Sequence, residues 1–321
     1  MNIQFTSRAL IAAALVALAG CAQHTASTPT PASFKSPDEA VAALIAASRA
    51  GDLVALQKLL GPGTADLLSS GDAVADKRER DAFVQRYDAQ HELVAGSPDD
   101  LVLLVGEDRW PVPIPLLRTG NSWSFDGAAG AGEIVLRRIG ANELHTIDVM
   151  NGFVAAQEDY ASSGHDGSKP GAYAQKLHST PGKHDGLYWE EAPGESPSPA
   201  GPMLAAASSE GYARAESATA PAAAGHGVSA PYHGYIYRLL LSQGPEANGG
   251  ARDYIVKGRQ IGGFAAIAYP AQYAVSGVMS FIVNQDGVIW QRDLGKDTAQ
   301  AAAAIQQFNP DDNWTPIAPE G

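Results

Sequence analysis

The chain has 321 residues, with 22 lysines and arginines against 35 aspartates and glutamates, so its formal net charge is −13 at pH 7. This length has room for two ordinary domains. An acidic chain is a poor nucleic-acid binder, because lysines and arginines must neutralise the phosphates. The single cysteine leaves no partner for a disulfide within the chain and rules out a metal site built from several cysteines. Nothing in the composition indicates a cofactor.

The N-terminus predicts export. Arg8 precedes an apolar run over residues 9–17, which is typical of a secretory signal peptide, here over residues 1–20. The run is far shorter than the roughly 20 apolar residues that span a bilayer, so a membrane helix is not expected.

The run ends in Leu18-Ala19-Gly20-Cys21, which resembles a bacterial lipobox. The resemblance implies that Cys21 becomes the first mature residue and carries lipid, so that the membrane is a partner through this anchor. Residue 22 is Ala rather than the Asp that retains lipoproteins at the inner membrane. The resemblance therefore implies the outer membrane, facing the periplasm. The alternative is an ordinary signal peptide with a chance cysteine.

Residues 21–33 are polar and Pro-rich, which is typical of a flexible tether. A first domain is predicted over residues 34–127, and its first helix begins with the capping signals Ser36, Pro37 and Glu39. Further helices are predicted over residues 53–60, 64–70 and 76–95. The hydrophobic period then changes, and strands are predicted over residues 101–105, 110–117 and 122–125. This order resembles the cone-shaped α+β domain of the nuclear-transport-factor-2 type.

A second domain is predicted over residues 128–296. Its longest helix covers residues 130–162, where Gly140 and Gly152 weaken the helix and allow a break or bend. A long loop rich in Gly, Pro, Ser and His follows over residues 163–230, with one short helix predicted over residues 202–212. Strands are predicted over residues 235–241, 264–270, 278–283 and 288–291, and residues 297–321 form a C-terminal helix and tail. The predicted fold class is α+β throughout.

Parts of this second region resemble the globular domain of type II secretion pseudopilins. The resemblance rests on several stretches: residues 142–147, 155–160, 234–237, 268–270 and 276–289. It implies a long helix packed across an antiparallel sheet. The helix of this chain is not N-terminal and lacks the wholly apolar segment that builds a pilus, so the resemblance does not imply a filament.

A second resemblance covers almost the whole mature chain. Its most specific stretch is residues 179–189, Ser-Thr-Pro-Gly-Lys-His-Asp-Gly-Leu-Tyr-Trp, with support from residues 231–235 and 311–316. These stretches resemble a bacterial envelope family called domain of unknown function 2950. The resemblance implies an exported, uncharacterised protein and supplies no catalytic residues.

Histidines and aspartates of the long loop are candidates for metal binding or acid–base chemistry. They are His165, Asp166, His178, His184, Asp185, His226 and His233. No helical His-x-x-x-His pair accompanies them, so a set of solvated loop histidines is the simpler interpretation. A triad of Ser276, His233 and Asp286 is also conceivable, but the chain has no Gly-x-Ser-x-Gly elbow.

Aromatic residues could line a groove for a glycan or peptide, although aromatics in sheets are more often core residues. They are Tyr188, Trp189, Tyr232, Tyr235, Tyr237 and Trp314. We assign no catalytic and no metal-ligating residue. The candidate ligand-binding residues are His184, Asp185, Tyr188, Trp189, Tyr232 and His233.

The sequence therefore predicts a lipid-anchored cell-envelope protein that binds or scaffolds an envelope protein or polymer and is not an enzyme. The alternative is a metal-dependent or hydrolytic enzyme that acts on envelope polymers, with its site in the His/Asp-rich loop.

Overall fold

The structure is a computed structural model that describes residues 31–166, 169–191, 194, 196–212 and 230–318. Within these ranges the helices are α1 Pro37–Ala50, α2 Leu53–Leu60, α3 Ala65–Leu68, α4 Ala73–Ala89, α5 Gly127–Ser162, α6 Gly201–Ser209 and α7 Thr298–Ala304. The longer strands are β1 His91–Ser97, β2 Asp100–Val105, β4 Leu116–Thr119, β5 Ser122–Phe125, β6 Tyr235–Leu240, β11 Ala265–Pro270, β12 Met279–Asn284 and β13 Trp290–Asp293. Two-residue strands complete the set: β3 Trp110–Pro111, β7 Ser242–Gln243, β8 Arg252–Asp253, β9 Ile255–Val256, β10 Arg259–Gln260 and β14 Thr315–Pro316. None of the helices in the described ranges combines the length and the apolar character that crossing a membrane requires.

The first helix begins where its capping residues predict. The Ser36 hydroxyl accepts a hydrogen bond from the Glu39 backbone N–H at 3.2 Å, and Pro37 occupies the first turn. The Glu39 carboxylate accepts from the Lys35 N–H at 3.1 Å, which satisfies a further donor at this end. Gly51 ends the helix in the left-handed region, at φ +64°.

The first sheet is antiparallel, in the order β1-β2-β4-β5, with β3 beside β2. It packs on α1 and α2 around a core that includes Leu44, Leu56, Leu103, Leu116 and Phe125. Its outer strand β5 pairs in turn with Phe34, which exchanges two backbone hydrogen bonds of 2.8 Å with Trp123.

Two boundary predictions in this region were wrong. The helix predicted over residues 76–95 ends at Ala89, and strand β1 begins at His91 and pairs with β2. Leu93 fits a helical spacing, but its side chain reaches the core from a strand. The strand predicted over residues 110–117 is divided into β3 and β4, because the prolines between them lack the N–H that a continuous ladder needs.

Helix α5 is continuous over 36 residues, about 54 Å long, so the break that Gly140 or Gly152 would allow does not occur. Two glycines in its first turn allow close packing instead. A Cβ atom at Gly127 would lie 2.2 Å from the Leu60 carbonyl oxygen, and one at Gly130 would lie 2.3 Å from that of Pro113. The helix therefore begins against the first region, which carries the first sheet, and continues into the second region, which carries the second sheet.

The second sheet has the order β14-β13-β12-β11-β6 and is also antiparallel. Tyr235 and Phe281 on one face pack with Met150 and Phe153 of α5. Ile267 and Ile282 on the other face pack with Ala302 of α7. Burial on both faces explains why these strands are nearly continuous apolar runs. The α+β class with antiparallel sheets is confirmed.

The segment predicted as a long loop with one short helix over residues 163–230 packs on the rest of the fold where it is described. It contains α6, and it buries Ala174, Leu187 and Trp189 in the core beside α5. Apolar residues of an irregular segment can thus be core residues when a long helix offers them a surface. Cys21 and His226 lie outside the described residues.

Candidate functional site

The six candidate residues form two separate groups along α5. His184 and Trp189 lie near Tyr160, at the C-terminal end of the helix. His233 stacks on His145, in the middle of the helix. Fifteen residues of helix separate Tyr160 from His145, which is about 22 Å. The predicted set is therefore not one site.

We call the first group the loop cluster: Tyr160, His165, Asp166, Lys176, Thr180, His184, Asp185, Tyr188 and Trp189. Its rings pack in series, since His165 stacks on Tyr160 at 4.1 Å and His184 lies 4.4 Å from the Trp189 ring. The Tyr160 hydroxyl donates to the His184 carbonyl at 2.7 Å. Burial, followed by the charges of Asp166 and Asp185, raises the pKa of Tyr160 to about 12, so this hydroxyl stays protonated.

The negative charge of Asp185 is compensated by hydrogen-bond donors within the loop cluster. Its carboxylate accepts from the Lys176 ammonium at 2.7 Å, from the Thr180 N–H at 2.7 Å and from the Thr180 hydroxyl at 2.9 Å. Burial alone would raise the pKa of Asp185, but the hydrogen bonds from Lys176 and Thr180 outweigh it and lower the pKa to about 2. These three hydrogen bonds connect Asp185 to Lys176 and Thr180 and so stabilise the fold of the loop.

Tyr188 takes part in the same local fold through its backbone. Its carbonyl accepts from the Ser179 N–H at 2.8 Å, and its ring meets His178 edge to face at 5.7 Å. Trp189 is only 6% exposed and donates its indole N–H to the Ser196 carbonyl. These contacts make both aromatics part of the loop's own packing.

We call the second group the junction cluster: Asp72, Arg78, His145, Glu210, Tyr212, Tyr232 and His233. Its members come from the start and middle of α4, from α5, from the end of α6 and from the segment before β6. It lies where the first region meets the second. Tyr232 packs edge to face on Tyr212 at 4.8 Å and on His233 at 4.3 Å.

Asp72 connects three parts of the chain. It is the N-cap of α4, and one carboxylate oxygen accepts from the N–H groups of Val74 and Ala75. The other oxygen accepts from the Tyr212 hydroxyl at 2.8 Å and from the Gly234 N–H at 2.9 Å. Asp72 is 1% exposed, so these bonds replace the water that its charge has lost.

The partners of His233 determine its tautomer. Nδ1 lies 3.2 Å from an Arg78 Nη2, which can only donate, so Nδ1 is the acceptor. Nε2 lies 3.0 Å from a Glu210 carboxylate oxygen and therefore carries the hydrogen. Glu210 also forms an ion pair with Arg78. Both nitrogens of a neutral imidazole are satisfied within the protein.

Burial is the largest effect on His233 and lowers its pKa below 6.5, with His145 and Arg78 acting in the same direction against Glu210 and Asp72. The residue is 4% exposed and has φ +49°, a left-handed conformation that costs energy for a residue with a side chain. Such strain is found at functional positions, which directs attention to this cluster.

A groove of about 520 Å³ adjoins the junction cluster. One wall is a face of α4, and Glu210 and Gly211 form the other. The α4 residues in the groove are Ala73, Val74, Lys77, Arg78, Asp81, Ala82 and Gln85. The first and last of them are twelve positions apart on the helix, which is about 18 Å. The groove is large enough for a small ligand or a short peptide.

The candidate triad is not assembled. Ser276 and Asp286 lie beyond opposite ends of the six-residue strand β12, which is about 20 Å long. The Ser276 hydroxyl is buried and bonds to the backbone of Gln272. Within the described ranges, no three His, Cys, Asp or Glu side chains are placed to hold a metal ion.

Most of the candidate aromatics are core residues. Tyr235 is fully buried, and Tyr237, Trp189 and Trp314 are at most 8% exposed. Sequence analysis missed Asp72, Arg78 and Glu210, although Asp72 carries an N-cap signal. Nothing in the sequence pairs Arg78 with Glu210, because 132 residues separate them.

No curated protein and no solved structure matches the chain at a significant level. One family model matches residues 31–317, which is most of the chain, and its description is "protein of unknown function (DUF2950)". The match includes every described element from α1 to β14 and both polar clusters. The chain therefore belongs to the DUF2950 family of proteins of unknown function.

Proposed function

We propose that this protein is a lipid-anchored envelope protein that works as a non-enzymatic binding or scaffolding module, with the groove along α4 as its ligand site. The observation that carries the proposal is the groove itself, which adjoins the junction where α4 meets the end of α6. Ligand sites lie preferentially between structural units, because two units supply more concave surface than one.

The chemistry of His233 favours binding over catalysis. A general base needs a nitrogen within reach of substrate, whereas both nitrogens of His233 are bonded to Arg78 and Glu210. Asp185, the strongest acidic candidate of the loop, is likewise committed to Lys176 and Thr180.

The lipid anchor is proposed from the lipobox-like residues that end at Cys21, and the outer membrane from Ala22. The finer fold relationships are proposals of the same kind. Helices α1–α4 followed by an antiparallel sheet support a nuclear-transport-factor-2-like first domain. Helix α5 packed across the second antiparallel sheet supports a pseudopilin-like second domain.

The anchor is tested in the native host with a clickable palmitate analogue. The wild-type chain should be labelled and should fractionate with the outer membrane, whereas Cys21→Ser should be unlabelled. Equal labelling of the two chains, or none of the wild type, would contradict lipidation at this residue.

The groove is tested with a photo-reactive amino acid in the full chain. Placed at Gln85 in the groove, it should cross-link one defined molecule in the envelope. The control position is Val54, which is 80% exposed on α2 and does not line the groove. Identical products from both positions would reject the groove as the ligand site.

A further inference from the structure

The arrangement around His233 has a consequence for protonation. Because Nε2 already carries a hydrogen, a second proton must bind to Nδ1, the atom that accepts from Arg78 at 3.2 Å. A protonated Nδ1 and a guanidinium N–H are both donors and both belong to cations. They cannot remain in contact, so protonation of His233 displaces Arg78.

Glu210 keeps a partner when this happens. Its carboxylate already lies 3.0 Å from Nε2, and that contact becomes a charge-assisted bond once the ring is cationic. Arg78 thereby becomes dispensable as the counterion of Glu210. The His233 imidazolium then serves as the counterion of Glu210 in place of the Arg78 guanidinium, from the position that the ring already occupies.

Arg78 has space to move into the groove. Its side chain is 39% exposed and already lines the groove, together with the small side chains of Ala73 and Ala82. The neighbouring cation Lys77 is paired with Asp81 at 2.5 Å. A displaced Arg78 is therefore the cation of the groove that needs a new anionic partner.

We propose that the groove along α4 binds a carboxylate group of its ligand through Arg78, and that proton uptake by His233 releases Arg78 for this contact. Arg78 faces a carboxylate already, since Glu210 is its present partner, and a planar guanidinium pairs with a carboxylate through two parallel hydrogen bonds. The proposal rests on the groove being the ligand site and names the chemistry and the control of that site.

Several other groups face His233 and influence its protonation. Asp72 at the start of α4 and Glu210 after α6 favour the cation, whereas Arg78 on α4 and His145 on α5 oppose it. The Tyr212 hydroxyl donates to Asp72, and the rings of Tyr212 and Tyr232 both pack beside the His233 ring. Burial raises the pKa of both tyrosine hydroxyls, so they stay neutral. Burial disfavours the cation, so His233 is neutral at pH 7 and takes up its proton below pH 6.5.

Thermodynamic linkage makes the proposal measurable. If the protonated form binds the carboxylate better, the carboxylate must raise the pKa of His233 by the same factor. The test is an NMR titration of the full chain in detergent micelles, with His233 assigned by its loss in His233→Asn. Asn is the replacement because it tolerates the left-handed conformation of residue 233.

The probe is trifluoroacetate, a carboxylate that keeps its charge throughout the titration, at constant ionic strength. At pH values where the titration shows His233 to be protonated, trifluoroacetate should bind at least about threefold more tightly than near pH 8, which corresponds to a rise of about half a unit in the pKa of His233. His233→Asn should bind it equally in both pH ranges. Arg78→Gln should abolish binding, while Arg86→Gln, which removes an α4 arginine paired with Asp108 outside the groove, should not.

A pKa of His233 that is unchanged by trifluoroacetate, or a shift that survives Arg78→Gln, would overturn the proposal. Penta-alanine with a free or an amidated C-terminus then distinguishes a peptide from a small acid. Pronounced selectivity for the free form over both the amide and trifluoroacetate identifies a peptide carboxylate. If the photo-reactive amino acid at position 85 cross-links no envelope molecule while trifluoroacetate still raises the pKa of His233, the proposed function fails. The coupling between His233 protonation and carboxylate binding then stands.

Discussion

The loop cluster and the junction cluster are both built from aspartate, tyrosine and histidine, but they differ in the chain distance between their partners. In the loop cluster, Tyr160 and His184 are 24 residues apart, and Lys176 and Asp185 are nine residues apart. In the junction cluster, Arg78 and His233 are 155 residues apart. The contacts of the loop cluster therefore stay within one segment of the chain, whereas the junction cluster forms only when both halves of the fold are in place.

The two clusters also differ in burial. Asp72 is 1% exposed, whereas the Asp185 side chain is 32% exposed. A buried carboxylate depends on its protein partners because water cannot replace them, and a half-exposed one is partly solvated when they are lost. Equivalent changes should thus have larger effects at the junction.

The largest effect is expected from Asp72→Ala, which leaves the donors of Tyr212 and Gly234 without their acceptor and removes the N-cap of α4. We expect a loss of about 3 kcal/mol in the free energy of unfolding. Urea denaturation of the purified protein measures it. The matched control is Asp52→Ala, an N-cap of α2 that accepts only the Ala55 N–H among the described contacts and should cost about 1 kcal/mol. Equal losses would contradict the special role of the junction.

The same substitution in both clusters compares them directly. Tyr212→Phe removes a hydroxyl that donates to buried Asp72 and accepts from the His233 N–H, and should cost about 2 kcal/mol. Tyr160→Phe removes one bond to a backbone carbonyl and should cost about 1 kcal/mol. Urea denaturation at pH 7 gives both values. A larger loss for Tyr160→Phe would reverse the comparison.

Asp185→Asn should cost about 1 kcal/mol at pH 7, a value already reduced for the exposure of the pair. Because the pKa of Asp185 falls from 3.8 to about 2 on folding, its contribution is complete above pH 3.8 and disappears as the pH falls towards 2. Wild type and variant should therefore converge in acid when unfolding is followed at several pH values. A constant difference down to the acid limit would show that the charge of Asp185 is not what stabilises the loop.

The smallest effect is expected from His233, and it lies in a different pH range. Its pKa is lowered on folding, so the unfolded chain takes up a proton first, and stability falls as the pH drops below 6.5. His233→Asn should remove this dependence, because an asparagine side chain does not titrate. Unfolding between neutral pH and about pH 5 tests it. A gain of stability on acidification that is present in the wild type and absent from His233→Asn would contradict the lowered pKa of His233.

Local signals predicted the elements well. Ser36 and Pro37 located the start of α1, and the strands of the second sheet were found as short apolar runs within a few residues of their limits. The end of α4 was missed because Leu93 suits a helix and a strand equally, and only pairing with β2 decides between them. The long helix predicted over residues 130–162 is found as α5, and it is continuous because packing on both regions outweighs the helix penalty of Gly140 and Gly152.

The candidate site was only half predicted. The structure brings together residues that are near each other in the chain, such as His184 and Trp189, whose rings lie in contact. His233 was placed with them because all lie in one His-rich segment. In the structure His233 contacts α4 and α5, which no local pattern indicates.

By itself, the sequence determined the class of the fold, the caps and the apolar strands, because each depends on neighbouring residues. The signal peptide and the lipid anchor stay predictions from the sequence. Only the tertiary structure decided that Asp72, Arg78, Glu210 and His233 meet beside a groove. Contacts across more than a hundred residues depend on how two cores pack along one helix. That packing is a property of the whole chain, and no short stretch of sequence records it.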